Sequence, residues 1–363
     1  MAARLPVPLS VLDLCPVPAG RSTGEALRRS VDLARHAERL GFTRYWVAEH
    51  HNLPGIASSA PAVLVGQIAS ATASIRVGSG GVMLPNHPPL TVAEQFGTLE
   101  ALHPGRIDLG IGRAPGTDRA TARALRRAAD GPQTPDFAAQ LTELQAYFAS
   151  QPGQPNGQAK HQAPDQPRIR AIAAEGNEPA WWLLGSTGYS AELAARLGLR
   201  FAFAHHLSPA SAANAKPAIA LYRRTFTPSR TLTQPYTLIS VTALCADDAD
   251  EARWLHGSTR LAALRQRIGR PAALPSPAEA AATAYSAAEE TVIDEVTRSH
   301  VVGDPAAVID ELARLVATVG ADELMITTSA FDHAAREHSY ALLAQAAGQA
   351  GSQTEAQARA SGA

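Results

Sequence analysis

The chain has 363 residues, 45% of them hydrophobic, with 32 basic residues against 33 acidic ones. A net charge of −1 gives no electrostatic footprint for nucleic acid or for an anionic membrane surface. Two distant cysteines, Cys15 and Cys245, make neither a disulfide framework nor a metal-ligand spacing.

Met1 to Val11 carry no apolar run of signal-peptide length. No stretch approaches the roughly 18 consecutive apolar residues of a membrane helix. A cytoplasmic enzyme is the expectation.

Short apolar runs alternate with amphipathic helical stretches along most of the chain. Pro8 to Asp13 reads as a strand. Ser22-Thr23-Gly24-Glu25 has capping-box spacing, and Leu27, Val31, Ala34 and Leu40 then recur helically up to Gly41, a C′ residue. Arg44 to Ala48 is a second strand and Ala60 to Thr72 a second helix. Ile75 to Gly78 opens a third strand, and Pro88-Pro89 starts a helix that runs to about Leu102. Arg106 to Ile111 is strand four, followed by helical pattern from Arg119 to Ser150. Gln151 to Pro167, rich in Gln, Pro and Gly, reads as a surface insertion.

The alternation then resumes. Pro179 to Leu184 is strand five, with a helix from Ser190 to Leu197. Arg200 to Ala204 is strand six, with a helix from Pro209 to Phe226, and Leu238 to Leu244 is strand seven. The segment 257–300 exceeds a plain crossover, and its portion Pro271 to Pro277 is a lid candidate. Asp304-Pro305 caps a helix carrying Val308, Leu312, Leu315 and Val319 on one face, ending at Gly320. Glu323 to Thr327 is strand eight, and a last helix spans Asp332 to Ala347. These eight units predict an α/β fold: a (β/α)8 TIM barrel, one domain over 1–350, with insertions after strands four and seven and a disordered tail at 351–363. A doubly wound sheet would need a glycine-rich phosphate loop after strand one, and Leu12 to Gly20 has none.

Barrel enzymes work at the C-terminal ends of their strands, so the residues after each strand are the candidates. They are Glu49-His50-His51 after strand two, and Gly80-Gly81 with Asn86-His87 after strand three. Gly110-Ile111-Gly112-Arg113 follows strand four, Gly185 to Ser190 strand five, and His205-His206 strand six. Taken alone, the His50-His51 pair fits catalysis, metal ligation with Glu49, or hydrogen-bonded packing. The chain lacks the H-x-H on strand one and the strand lysine of barrel metallohydrolases, so no metal is expected. Gly80-Gly81 suits either a ligand against bare backbone or a flexible strand end. Arg113 suits a phosphate or is a surface charge. The Ser186 to Ser190 helix start binds an anion or is only capped by a serine. His87, His205 and His206 are pocket wall or structure.

Three ordered runs carry a resemblance: Val47-Ala48-Glu49-His50-His51, Val77 through Pro85, and Gly105 through Arg113. They resemble the bacterial-luciferase-like flavin monooxygenases. The ending, Val302 through Met325, is similar to that family's last helix and strand. The segment Arg113-Ala114-Pro115-Gly116-Thr117-Asp118 resembles a single-chain, uncharacterised branch of the family rather than the luciferase subunits.

The resemblance implies that His50 is the catalytic histidine beside the flavin, with Glu49 supporting it. It implies a non-prolyl cis peptide at Gly80-Gly81 under the isoalloxazine ring. Arg113, Ser186, Gly188, Tyr189 and Ser190 would hold the flavin phosphate, and His51, His87, His205 and His206 are candidates for the substrate pocket. Where the luciferase subunit has an acidic residue before the serine, this chain has Gly185. The implied chemistry uses reduced FMN and dioxygen through a C4a-peroxide to oxidise a small molecule. The flavin would come from a separate NAD(P)H:flavin reductase, and a homodimer is expected; light emission is not implied. Competing readings are F420-dependent hydride transfer on the same barrel, a non-catalytic flavin-binding relative, which would have lost barrel segments, and a metal-dependent hydrolase.

Overall fold

The computed structural model describes residues 5–114, 118–125, 136–149 and 169–348. The expected insertion at 151–167 and tail at 351–363 lie outside the described residues. In chain order the strands are β1 (Leu9–Asp13), β2 (Arg44–Val47), β3 (Arg76–Ser79) with its two-residue extension β4 (Val82–Met83), β5 (Ile107–Gly112), β6 (Ala180–Gly185), β7 (Arg200–Ala204), β8 (Thr237–Cys245), β9 (Val301–Gly303) and β10 (Glu323–Thr327). Eight of them close a parallel ring in the order β1-β2-β3-β5-β6-β7-β8-β10, with β10 pairing both β8 and β1. The expected (β/α)8 barrel is present.

The helices are α1 (Thr23–Arg39), α2 (Pro61–Ala71), α3 (Pro89–Leu102), α4 (Arg119–Leu125), α5 (Phe137–Phe148), α6 (Gly188–Leu197), α7 (Pro209–Thr225), α8 (Ala249–Arg267), α9 (Pro277–Ala282), α10 (Ala287–Thr297), α11 (Pro305–Val319) and α12 (His333–Ala346). Where one helical stretch is expected from Arg119 to Ser150, there are two helices, with 126–135 outside the described residues. Several ends follow the sequence signals. Asp304 accepts from the N–H groups of Ala306 and Ala307, both at 3.0 Å, and Gly320 ends α11 at φ +72°. At α1, Ser22 accepts from the Glu25 N–H, but the Glu25 carboxylate pairs with Arg29 at 2.7 Å instead of completing a reciprocal box. The reciprocal box lies at Ser286 and Glu289, opening α10.

Side chains alternate along each strand, and this sorts the core into two apolar groups. Leu9, Val11, Tyr45, Val47, Leu109, Phe201 and Ile326 belong to the large outer cluster that packs the helices onto the barrel. Their neighbours Leu12, Trp46, Trp182, Ala202, Leu238 and Met325 form a separate cluster, the middle layer of the barrel interior. Trp46 and Trp182 meet edge to face at 5.1 Å between ring centroids.

Below that layer the barrel is plugged by charge. Arg44 binds Glu323 through Nε at 2.6 Å and Asp108 through Nη1 at 2.7 Å. Arg76 takes the other Asp108 oxygen at 2.7 Å, and Tyr236 OH donates to Glu323 at 2.8 Å. A second buried network fastens β1 to the helices. Asp13 accepts from Tyr45 OH at 2.5 Å, from Arg336 of α12 at 2.6 Å and from the Cys15 N–H at 2.7 Å, and it also bonds Ser30 of α1.

The 257–300 segment carries the lid candidate. It is mostly helix, α8 through α10, and α8 begins before it. Its Pro271 to Pro277 portion is tied to the loop after β1 by two backbone bonds at 2.8 Å, Leu274 N–H to Val17 O and Ala19 N–H to Leu274 O. This is a pinned cover over the C-terminal face.

Candidate active site

The cavity at the C-terminal mouth of the barrel has an apolar floor and polar walls. Leu12, Trp46, Leu238 and Met325 of the interior layer form the floor. His50, Gly80, Arg113, Ser186, Ser190 and His206 stand on the walls, and the enclosed space, mouth included, is about 910 Å³. That size and composition suit a small-molecule or cofactor site.

Each wall residue is placed by its strand. The His50 N–H donates to Ser58 O at 2.9 Å, which fixes the backbone just past β2. The Gly80-Gly81 peptide bond is cis, and both glycines are packed too tightly for a side chain. A Cβ on Gly80 would lie 2.8 Å from Leu12 and 3.0 Å from Trp46; one on Gly81 would lie 2.7 Å from Gly110 O. The cavity is therefore bordered there by bare backbone.

The opposite rim is cationic and donor-rich. Arg113 follows β5 and sits over the Tyr189 ring, 4.4 Å from its centroid. Tyr189 is the second residue of α6; the N-cap Thr187 makes no side-chain cap, so the first-turn N–H groups of Gly188, Tyr189 and Ser190 have no intrahelical acceptor. Ser186, Thr187 and Ser190 line the cavity at this point. Gly185 is explained by packing, since a Cβ there would fall 2.3 Å from the Ser190 Cβ and Oγ. We expect Gly185→Ala to push Ser190 and the α6 N-terminus out of place. An anion titration of the variant checks this: affinity at the rim equal to that of the wild type would contradict it.

Four expected site residues stand elsewhere. Glu49 is fully buried and does not line the cavity. Its carboxylate accepts from Met83 N–H at 2.9 Å and Asn86 Nδ2 at 3.1 Å, and it bonds His51 Nε2 and His87 Nε2, each at 2.9 Å. Burial works to raise its pKa, but His87, His51 and the Met83 N–H prevail and hold it below the ordinary value. Glu49 is thus a hub that ties the end of β2 to the loop after β3. His51 and His87 are its partners and lie outside the cavity wall. His205 is buried on the far side, lining an outer cleft with its Nδ1 lacking a hydrogen-bond partner. Past β2 the cause is alternation, which turns His50 into the cavity with Ala48 and sends Glu49 away from it. His205 and His206 instead open a single 3₁₀ turn, His205–Leu207, where neighbouring side chains point about 120° apart.

His206 hydrogen-bonds Ser240 through Nδ1 at 2.7 Å, and burial, aided by the charge of His50, pushes its pKa down to about 4. Ser240, Leu14 and Met83 were not among the expected site residues. Ser240 occupies an inward position of β8, which strand alternation marks once the strand's facing is known. Among the described residues no group of three or more His, Cys, Asp or Glu side chains is placed to hold a metal ion.

Residues 7–323 match the family model described as luciferase-like monooxygenase. The chain is 49% identical over 336 residues to the uncharacterized protein YvbT of Bacillus subtilis, covering 93% of this chain and 95% of that one. It is 43% identical to a luciferase-like monooxygenase of Escherichia coli K12, covering 93% and 96%. The crystal structure of apo-MsnO8 superposes with a TM-score of 0.84 at 36% identity, covering 94% of this chain and 98% of that one. With the barrel, the cis Gly80-Gly81 bond and the mouth cavity in place, the chain belongs to the luciferase-like monooxygenase family.

Proposed function

We propose that the protein is an FMN-dependent monooxygenase, supplied with reduced FMN by a separate NAD(P)H:flavin reductase, that uses dioxygen to oxidise a small organic molecule. The observation that carries the reading is the pairing of two unlike ends in one cavity. Bare Gly80-Gly81 backbone over an apolar floor suits a flat ring. Arg113 beside the open N-terminus of α6 suits a phosphate. When bound, reduced FMN supplies the two electrons that let one oxygen atom enter the substrate while the other leaves as water.

The protein's own residues then bind, dry and protonate. Arg113, Ser186 and the first-turn N–H groups of α6 hold the phosphate. Leu12, Trp46, Leu238 and Met325 keep water from the ring. His50, at the cavity wall, holds or moves a proton at its imidazole. Glu49 keeps the β2 end and the loop after β3 in register. A homodimer belongs to this reading, supported by Val63 on α2 and Leu102 on α3, large apolar side chains left 75% and 67% exposed. So does a cytoplasmic location; no described helix is long and apolar enough to cross a membrane.

Equilibrium binding of oxidised and anaerobically reduced FMN tests the reading. We expect the reduced form to bind more tightly, and Arg113→Ala to weaken it by about tenfold or more, the value of one charge-assisted hydrogen bond. Binding of F420 without FMN would replace the reading by hydride transfer, and binding of neither would end it.

A further inference from the structure

Behind the flavin-side cavity lies a second chamber that shares Leu14 and His206 with it. It is roofed by α8 and by the pinned segment around Leu274. Its polar groups are Thr242, Thr259, Gln266, Thr327, Ser329 and two histidines, His206 and His300. No Asp, Glu, Lys or Arg lines it among the described residues.

We propose that this chamber holds the substrate, with His206 at the junction, and that it selects uncharged molecules bearing a hydroxyl or carbonyl while rejecting carboxylates and sulfonates. The proposal rests on the monooxygenase reading for the reaction, but the selectivity itself can be read without flavin.

The charge balance of the walls supports it. Burial pushes both His206 and His300 down to about 4. His300 Nδ1 bonds His256 Nε2 at 3.0 Å, and burial takes His256 to about 3. All three rings are neutral at pH 7. Arg260, whose charge reaches His256, is already paired with Glu290 and Asp294. An anion in the chamber would be desolvated with no countercharge, which is strongly unfavourable.

The chamber also offers hydrogen bonds to a neutral guest. Thr327 is 4% exposed and its Oγ1 has no hydrogen-bond partner, an unusual state for a buried hydroxyl. Ser240 Oγ donates to Phe203 O at 3.2 Å and so accepts from His206 Nδ1, which leaves His206 Nε2 as an acceptor for a substrate hydroxyl.

The test is calorimetric titration of flavin-free protein at pH 7.5 with matched alkan-1-ols, alkan-2-ones and alkanoates of about four to ten carbons, a range that brackets a small-molecule pocket. We expect the best neutral ligand to bind at least about tenfold more tightly than its carboxylate. Ala263→Phe, which fills the chamber from α8, should weaken the neutral ligand by about tenfold or more and leave FMN affinity within about twofold. Gln266→Lys, which puts a cation at the solvent-facing edge of the chamber, should narrow the neutral-over-anion gap. Carboxylates binding as well as neutral ligands, no neutral ligand binding, neutral binding indifferent to Ala263→Phe, or a gap unchanged by Gln266→Lys would each overturn the proposal. FMN titration of the same samples reports separately on the monooxygenase reading.

Discussion

Arg44→Met is expected to destabilise the protein by about 3–5 kcal/mol at pH 7, the cost of leaving buried charge unpaired. The Arg44 side chain is 8% exposed and the two carboxylates it joins, Asp108 and Glu323, are fully buried. Methionine matches the length of the guanidinium stem but offers neither carboxylate a donor. Asp108 keeps Arg76 and the Trp46 Nε1–H at 2.9 Å, whereas Glu323 keeps only hydroxyl donors, from Ser10 and Tyr236. Urea unfolding followed by circular dichroism measures the loss. A change under about 1 kcal/mol would place this pair with exposed ion pairs and contradict the account.

The pH dependence has a definite sign. Burial acts to raise the Asp108 pKa, but Arg44 and Arg76 outweigh it and hold the carboxyl below its ordinary value. A depressed folded pKa gives stability that is present above the unfolded value, about 3.9, and lost as pH falls through the folded one. In Arg44→Met that depression shrinks or reverses, so acid protonates a carboxylate that is no longer stabilised. The gap between wild type and variant is therefore largest at neutral pH and narrows towards pH 4. Coupling Arg44→Met with Glu323→Met should recover much of the loss, because an apolar pair replaces an ion pair rather than orphaning half of it.

Neither ion network could be read from the sequence. Arg44 and Glu323 are 279 residues apart, and Asp13 and Arg336 are 323 apart. Their contact depends on the ring closing β10 against β1, which no local pattern records. The eight strands themselves were legible because each is a short β-rich run between capped helices, and the caps at Ser22 and Asp304 mark real helix starts. The 257–300 region was harder. α9 is alanine-rich and both α9 and α10 are short, so their periodicity is weak, although Ser286-x-x-Glu289 was a helix signal in plain view.

The site was legible to the level of strand ends and no finer. Gly80, Arg113, Ser186 and Ser190, each at or after a strand end, line the mouth cavity. Reading Glu49-His50-His51 as one functional group ignored the two-residue period of an extended chain. Applied there, that period separates His50, which enters the cavity, from the two side chains that brace its back. His206 and His205 are separated differently, by the 3₁₀ turn they open, whose neighbouring side chains point about 120° apart.

That separation makes His50 the sharper test. His50→Ala is expected to lower product formation by about 10²–10⁴-fold, the usual range for losing a positioned acid–base group. The backbone around it is held independently of the imidazole: the residue-50 N–H donates to Ser58 O at 2.9 Å, and Ser58 Oγ donates to Ala48 O at 2.5 Å. The variant should therefore keep its fold and its FMN affinity within about twofold, since no flavin-phosphate donor is removed. His50→Gln separates two roles, because an amide can hydrogen-bond but cannot transfer a proton near neutral pH. If His50 only orients, Gln restores most of the rate; if it moves a proton, Gln stays close to Ala. Following oxygen uptake, hydrogen peroxide release and product together decides the matter. Less product with more peroxide per reduced flavin consumed is the expected result, and wild-type product yield from His50→Ala would remove His50 from the chemistry.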